Sequence, residues 1–224
     1  MANYGAAALA PKKEAPALSG EVFGALINLS GRRRFTSQRL VLYAVLADQG
    51  QENAAATARE ALALFRGAHQ TLVHGSDVLP GIFCRELEEV YFGRAAGERQ
   101  ICDFMDLAER TLAAAEREPG SGAALLAQLV EMTTPVLALL NQITAIYEDQ
   151  TKKHALLMRK QLHGVITEIE TIARQAKMVS FNARIVAARA GFAGREFAVV
   201  AGVLSNITGE IDDMVKAALT AAKA

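Results

Sequence analysis

The sequence predicts an all-α protein: an antiparallel helical bundle that continues into a coiled-coil helical hairpin. Three observations support this prediction. Apolar residues recur at alternating steps of three and four along much of the chain, which is the spacing of packed helices and not of strands. Alanine supplies much of the 51% hydrophobic fraction, as closely packed helices favour. Proline occurs at only five positions, so few points interrupt a helix.

Charge and hydropathy exclude several partners. The formal net charge of the 224 residues is zero, so we expect no general attraction to nucleic acid or to an anionic membrane. No uninterrupted run of about 18 apolar residues occurs, and we therefore predict no membrane span. Residues 1–17 lack the apolar core of a secretory signal and are predicted to form a flexible tail. These features predict a cytoplasmic protein.

The two cysteines do not form a recognisable redox or zinc motif. Cys84 and Cys102 lie far apart in the sequence and lack the spacing of two ligands on one loop. We expect two buried thiols in a reducing compartment.

Residues 18–150 are predicted to form a four-helix bundle with the character of a sensor domain. Ser19 suits the N-cap of the first helix and Gly50 suits its end. A turn at Pro119–Gly122 separates the third helix from the fourth. Helical periodicity places the first three helices at 18–49, 53–73 and 98–116, with one short helix inside the irregular stretch 75–97.

The fourth helix is predicted to continue from Ala123 to Gly191 without a clear stop, with a kink near Thr133 caused by Pro135. At 1.5 Å per residue such a helix would be roughly 100 Å long. It would link the bundle to the hairpin.

Residues 151–224 are predicted to form the hairpin, with its tip at the glycine-marked turn 191–194. Two apolar seams with three–four spacing meet there. The incoming seam comprises Leu162, Ile166, Ile169, Ala173, Ala176, Ser180, Ala183, Ala187 and Ala190. The outgoing seam comprises Phe197, Val200, Leu204, Ile207, Ile211, Met214 and Ala218.

Motifs around this turn resemble the signalling tip of bacterial methyl-accepting chemotaxis receptors, over residues 162–218. They are IAxQ at 172–175, Asn182-Ala183, AARAG at 187–191 and GRxFAVVA at 194–201. The resemblance implies a homodimer or higher oligomer in which two hairpins form a four-helix bundle. It also implies tip contacts with a chemotaxis histidine kinase and its coupling adaptor. The residues we expect to make these contacts are Gln175, Met178, Phe181, Asn182, Arg189, Arg195 and Val199.

The tip also departs from that family. Val186 and Phe192 stand where glutamate is usual, while Lys177 and Arg184 add positive charge. Opposite charges across an interface influence partner choice, so these changes bear on which partner the tip binds. An alternative function is therefore a receptor-derived scaffold or self-assembly protein that no longer engages a kinase.

A second resemblance covers residues 20–75. The segment INLSGRRRFTSQRL at 27–40 is similar to the first helix of type IV pilus chemotaxis transducers and, more loosely, of nitrate sensors. That resemblance implies a small anion held by Arg34, supported by Asn28, Arg32 and Ser37. The protein would then be an oxyanion-binding regulatory module. The alternative is that these arginines solvate a helix face or pair with carboxylates of neighbouring helices.

The sequence does not predict an enzyme, a cofactor or a metal site. It contains no phosphate-binding loop and no nucleophile with an adjacent base. His69 and His74 are five residues apart, which does not place two ligands on one helix face, and each is predicted to be an isolated histidine near a helix end. The leading hypothesis is a chemoreceptor-like signalling protein that couples the sensor-like bundle to a hairpin that contacts partner proteins.

Overall fold

The computed structural model describes residues 18–221, and these residues form helices and connecting segments without a β-strand. The predicted all-α fold is confirmed. The tail predicted at residues 1–17 lies outside the described residues, as do residues 222–224. The helices are α1 (Gly20–Asp48), α2 (Ala54–His74), α3 (Arg85–Phe92), α4 (Gly97–Arg117), α5 (Ala123–Arg189) and α6 (Arg195–Ala221).

The chain divides into two compact units between Thr151 and Lys152. We call the described residues 18–151 the bundle and residues 152–221 the hairpin. Helix α5 begins in the bundle and ends in the hairpin, so one helix belongs to both units.

The start and end of α1 follow from the residues that the sequence marked. Ser19 lies in an extended conformation, and its side-chain oxygen accepts a hydrogen bond from the Val22 amide at 3.2 Å. This contact satisfies one of the amides that a helix start leaves unpaired. Gly50 has a φ of +76°, which lets the chain leave the helix without the strain that a side chain would add.

Large aromatic and aliphatic side chains form the core of the bundle. The rings of Phe65 on α2 and Phe104 on α4 are both fully buried, with centroids 5.8 Å apart. Removing such a side chain from water contributes about 1.5–3 kcal/mol. Other large apolar or aromatic side chains of the bundle with an exposure of 2% or less are Phe23, Leu26, Leu40, Leu62, Leu72, Leu87, Tyr91, Ile101, Leu112, Leu129, Val136, Leu140, Ile143 and Tyr147.

An ion-pair cluster joins the surfaces of α2 and α4. Arg59 donates to Glu116 through Nε at 2.6 Å and through Nη2 at 2.7 Å, and to Glu109 through Nη1 at 2.6 Å. These hydrogen bonds lower the pKa of both carboxyl groups. Because all three side chains are more than a third exposed, solvent screens the cluster and its contribution to stability is small.

The hairpin reverses through a single 3₁₀ turn, Gly191–Gly194. Gly191 has a φ of +60°, a conformation that side-chain-bearing residues rarely adopt. Gly194 is buried, and a Cβ at that position would overlap the carbonyl of Ala187. The glycines therefore allow the start of α6 to approach the end of α5 closely.

Small and polar residues form the contact between the two arms, and the predicted seams need correction. On α5 the buried positions are Ile166, Ala173, Ser180 and Ala187, whereas Leu162, Ile169 and Ala190 are exposed. On α6 the buried positions are Ala201, Thr208 and Val215 instead of Val200, Ile207 and Met214. Of the other predicted positions, Leu204 and Ile211 are half-buried, and Phe197 and Ala218 are exposed. Small side chains let the arms approach, and Ser180 donates to the Ala201 carbonyl at 2.6 Å.

One helix within residues 18–221 bears on the predicted absence of a membrane span. By length and composition alone, α5 is apolar enough to cross a membrane. This is weak evidence, since the core helix of a bundle passes the same test. Leu129, Val136, Leu140 and Ile143 of α5 are buried in the bundle core, although only 22% of the most apolar stretch is buried within one chain.

Candidate functional site

The residues predicted to contact partners lie on the surface of the hairpin near its turn. Met178, Phe181 and Val199 are 59%, 63% and 67% exposed, so each presents apolar surface to solvent within one chain. Gln175, Asn182, Arg189 and Arg195 are exposed as well. The placement leaves all seven side chains accessible, and their contacts with partners stay a prediction.

A concave site, here named the tip pocket, lies where α5 ends and α6 begins. Its volume is about 290 Å³, and five of its seven lining residues are alanine or glycine. It is lined by Arg184, Ala187, Ala188, Gly191, Gly194, Arg195 and Ala198. Arg184 was noted in the sequence as an added charge but was not among the predicted contact residues. Its position three residues before Ala187, one short turn along the helix, was the available signal.

Positive charge concentrates beside this pocket. Arg174 pairs with Glu170 at 2.8 Å, and Lys177 pairs with Asp212 at 3.8 Å. Arg184, Arg189 and Arg195 form no ion pair with any residue between 18 and 221. Arg195 instead lies over the ring of Phe192, 5.4 Å from its centroid, and Phe192 is 85% exposed.

An uncovered apolar stripe, here named the outer seam, runs along each arm of the hairpin. Its residues follow the same three–four spacing as a coiled-coil seam and flank the contact between the arms, but they are exposed within one chain. On α5 its exposed members are Met158, Leu162, Val165, Ile169, Ile172, Val179 and Val186. On α6 they are Phe197, Val200, Ile207 and Met214. A contiguous exposed stripe of large apolar side chains is typical of an association surface.

The four residues predicted to hold an anion do not converge within one chain. Arg34 donates to the side-chain oxygen of Asn141 on α5 at 3.1 Å, and Asn28 and Arg32 are exposed. Ser37 is buried, and its hydroxyl donates to the carbonyl of Arg34 at 2.8 Å. Residues two apart on a helix point about 200° apart, so Arg32 and Arg34 lie on opposite sides of α1.

Arg33, which sequence reasoning did not select, is the arginine inside the bundle. It is fully buried and donates to the Tyr91 hydroxyl at 2.9 Å, to His69 Nδ1 at 3.1 Å and to Ser30 Oγ at 3.5 Å. No carboxylate of the described residues forms an ion pair with it. Its Nε is buried without a hydrogen bond. The expectation that the arginine cluster solvates a face or pairs with carboxylates is therefore wrong for Arg33.

His69 completes this buried network and is not the isolated helix-end histidine that the sequence predicted. A guanidinium can only donate, so His69 Nδ1 accepts from Arg33 and the proton of the neutral ring lies on Nε2. Nε2 is 3.0 Å from Oε2 of Glu98, in a contact that does not meet the geometry of a hydrogen bond. Burial and the charges of Arg33 and His74 lower the pKa of His69 to about 3. His69 is therefore neutral at pH 7.

The side chains of His69, Glu98 and Cys102 have the ligand types and spacing of a metal site, with ligand atoms within 4.8 Å of one another. The surrounding donors do not fit one. A metal-bound histidine normally donates its other ring N–H to an acceptor, whereas Nδ1 of His69 faces the donor Arg33. The Cys102 thiol donates to Glu98 at 3.7 Å, and burial raises the pKa of that thiol.

Cys84 and Cys102 are free and half-buried, not fully buried as predicted.

The network also crosses to α5. Ser30 and Thr144 share a hydrogen bond of 2.8 Å between their hydroxyls. Tyr147 is fully buried, its hydroxyl makes no hydrogen bond within standard geometry, and burial raises its pKa. The sequence did hold a signal for this arrangement. Arg33 lies in the buried three–four series Phe23, Leu26, Ser30, Arg33, Ser37, Leu40, Ala44 and Ala47.

Comparison with known proteins supports the resemblance of the hairpin to the signalling domain of chemotaxis receptors. Residues 132–220 match the family model of the methyl-accepting chemotaxis protein (MCP) signalling domain. No curated protein and no solved structure matches the chain. The match covers less than half of the chain, and it does not reach residues 20–75, whose resemblance to pilus transducers stays a prediction. The family is one of non-enzymatic signal transducers, so the match supports a role in signal transduction.

Proposed function

We propose that this protein is a chemoreceptor-like signalling protein in which the bundle senses and the hairpin transmits. The observation that supports this most directly is that the MCP signalling match includes the whole turn and the outer seam. The output is a contact between proteins and not a chemical step.

The outer seam supports a homodimer. Its large apolar side chains are exposed in one chain, whereas the contact between the arms buries mainly small ones. A second hairpin packed on the outer seam would cover them and form a four-helix bundle, since three–four spacing is the spacing of such packing. We place the protein in the cytoplasm, where this signalling domain lies in receptors.

The tip is the proposed contact surface for a chemotaxis histidine kinase and its coupling adaptor. Met178 and Phe181 would pack against neighbouring chains, because each exposes more than half of an apolar side chain. Arg189 and Arg195 would make polar contacts near the turn. Gln175, Asn182 and Val199 complete this surface.

Helix α5 supplies the proposed connection between sensing and output. It contributes Val136, Leu140 and Ile143 to the bundle core and continues without interruption to the turn of the hairpin. Packed helices move between discrete arrangements by small translations or rotations. A shift of α5 in the bundle would therefore be transmitted along the same helix.

The test is reconstitution of the full chain with a chemotaxis kinase and its adaptor. We expect the chain to co-sediment with both proteins and to change the rate of kinase autophosphorylation. The variant Phe181→Ser should abolish this effect, and Val78→Ser, which alters an equally exposed residue of the bundle, should not. A kinase rate that is insensitive to the chain would contradict the proposal.

A scaffold without kinase contact is the second candidate function. It is favoured by Val186 and Phe192, which are 60% and 85% exposed where the related family usually has glutamate. Restoring glutamate at both positions should dissolve assemblies larger than a dimer if this function applies. Light scattering that shows no such assemblies in the unmodified chain would rule it out.

An oxyanion-binding module is the third proposal, and it depends on Arg34. Within residues 18–221 its guanidinium has the neutral partner Asn141 and no ion pair, so it is available to an anion. Calorimetry with nitrate and nitrite should give heat with the unmodified protein and none with Arg34→Ala. Equal heats from the two proteins would exclude this site.

A further inference from the structure

The chemistry of the tip pocket identifies the kind of partner that this hairpin suits. We infer that the pocket binds a carboxylate-bearing segment of a partner protein, with Arg184 and Arg195 as the recognising residues. The inference rests on the proposed function, in which the tip is a contact surface. It goes further by naming the chemistry of the partner and by assigning Arg184 to the site.

The charge around the turn of the hairpin is unbalanced. Residues 174–199 contain five basic side chains and one acidic side chain, although the whole chain has a formal net charge of zero. Glu170 and Asp212 engage Arg174 and Lys177, which are the two basic residues farthest from the turn. The remaining three arginines have no carboxylate partner in the part of the chain that the structure describes. An acidic partner supplies the missing charge.

The tip pocket is small and is lined mainly by alanine and glycine. Ala187 is 3% exposed and Gly194 is buried, so two buried small residues line the pocket together with the two arginines. A volume of about 290 Å³ accommodates one or two side chains and not a larger body. Guanidinium groups bind carboxylates through paired, charge-assisted hydrogen bonds. The pocket therefore suits an aspartate or glutamate side chain.

The exposed ring of Phe192 favours a partner segment that carries an apolar residue beside its acidic one. Its ring is 85% exposed and contacts the Arg195 guanidinium, so it lies beside the pocket. Covering that ring would remove apolar surface from water. The preferred segment thus has an acidic residue followed or preceded by a large apolar residue.

The concave shape of the site favours a protein segment over an anionic membrane as the partner. A lipid surface presents a broad sheet of charge, which a convex basic surface with a protruding aromatic ring would bind. Here Arg184 and Arg195 line a small recess, which suits a single protruding side chain. We therefore commit to the protein segment and include the membrane in the test.

The experiment uses two short fluorescent peptides that alternate leucine with either glutamate or glutamine, together with the full chain. Binding is measured by anisotropy, and binding to phosphatidylglycerol vesicles is measured by sedimentation. We expect saturable binding of the glutamate peptide and none of the glutamine peptide. Arg184→Gln and Arg195→Gln should each weaken binding by about threefold to tenfold, because each removes one close charge pair. Arg110→Gln, which removes the same charge from the surface of the bundle, should leave binding unchanged.

Several results would overturn the inference. Equal binding of the two peptides would show that charge is not recognised, and equal binding by Arg184→Gln and Arg110→Gln would place the site elsewhere. An absence of peptide binding would exclude the segment. Vesicle binding that depends on Arg184 and Arg195, without peptide binding, would assign the pocket to a membrane.

The result of the peptide experiment can be told apart from the result of the kinase experiment that tests the proposed function. The mass of Arg184→Gln in solution reports whether the dimer persists, because Arg184 lies outside the outer seam. If the chain regulates a kinase but the glutamate peptide does not bind, the partner chemistry is wrong and the signalling role stands. If the peptide binds but no kinase responds, the pocket is right and the kinase is the wrong partner.

Discussion

The bundle and the hairpin bury different kinds of residues. The bundle encloses the rings of Phe23, Phe65 and Phe104, and the buried positions of the hairpin are mostly alanine, serine and threonine. Both units are helical and rich in apolar residues, yet the hairpin exposes most of its large ones. The bundle therefore has a core of large side chains within one chain, whereas the hairpin leaves most of its large apolar side chains uncovered.

The largest expected effect comes from comparing the replacement of one phenylalanine in the bundle with the replacement of one in the hairpin. Phe104→Ala should lower the free energy of unfolding of the bundle by about 3–5 kcal/mol, because it leaves a cavity in a packed core. Phe197→Ala in the hairpin should have little effect on the unfolding of the bundle, since Phe197 is 54% exposed. Denaturant unfolding followed by circular dichroism measures both, and equal losses would contradict the comparison.

The next effect tests whether the outer seam is covered by a second chain. Ile172→Asp should raise the dissociation constant of the dimer by at least about tenfold, because it places a charge in an apolar contact. Thr171→Asp is the matched control, since Thr171 is exposed on the same turn but outside the outer seam. Dilution series by light scattering measure both, and identical dissociation of the two variants would argue against the outer seam as the dimer interface.

Acid should destabilise the bundle before it affects the hairpin. The pKa of His69 is lowered to about 3 in the folded protein, so unfolding takes up a proton as the pH falls below the ordinary histidine value. Stability is therefore fully present above about pH 6.5 and is lost by up to about 1.4 kcal/mol per pH unit down to about pH 3, the folded-state pKa. His69→Gln should remove this slope between pH 6.5 and 5, above the range in which ordinary carboxylates titrate.

The control for this pH dependence is His163→Gln, which alters an exposed histidine of the hairpin. It should leave the slope intact. A slope that survives in His69→Gln would show that another group takes up the proton.

Much of the architecture could be predicted because local signals specify it. Ser19 and Gly50 mark the ends of α1, and the glycines at 191 and 194 mark the turn. The choice between neighbouring apolar residues could not be predicted, because Val200 and Ala201 both suit a seam. The structure buries Ala201, whose carbonyl accepts a hydrogen bond from Ser180 where the two arms meet.

The buried network was missed for a different reason. Arg32, Arg33 and Arg34 look alike in sequence, and a buried arginine is rare enough that a solvated cluster is the natural expectation. The position of Arg33 in the buried series of α1 was the available signal. His69, Tyr91 and Glu98 lie on three other helices, so spacing along the chain could not bring them together.

The smallest expected effect concerns the surface of the bundle. Arg59→Gln should lower the free energy of unfolding by about 0.5–1 kcal/mol, because it removes a cluster that solvent already screens. High salt should reduce this difference. Arg110→Gln is the matched control and should change stability very little. A loss of several kcal/mol for Arg59→Gln would mean that the bundle depends on its surface as much as on its core.

The most direct test of the account is the mass of the full chain in solution, measured by light scattering. If the outer seam is covered by a second copy, the mass will be twice the 23.9 kDa of one chain. A mass of 23.9 kDa at the highest soluble concentration would contradict the account, because the hairpin would then leave its apolar surface exposed to water.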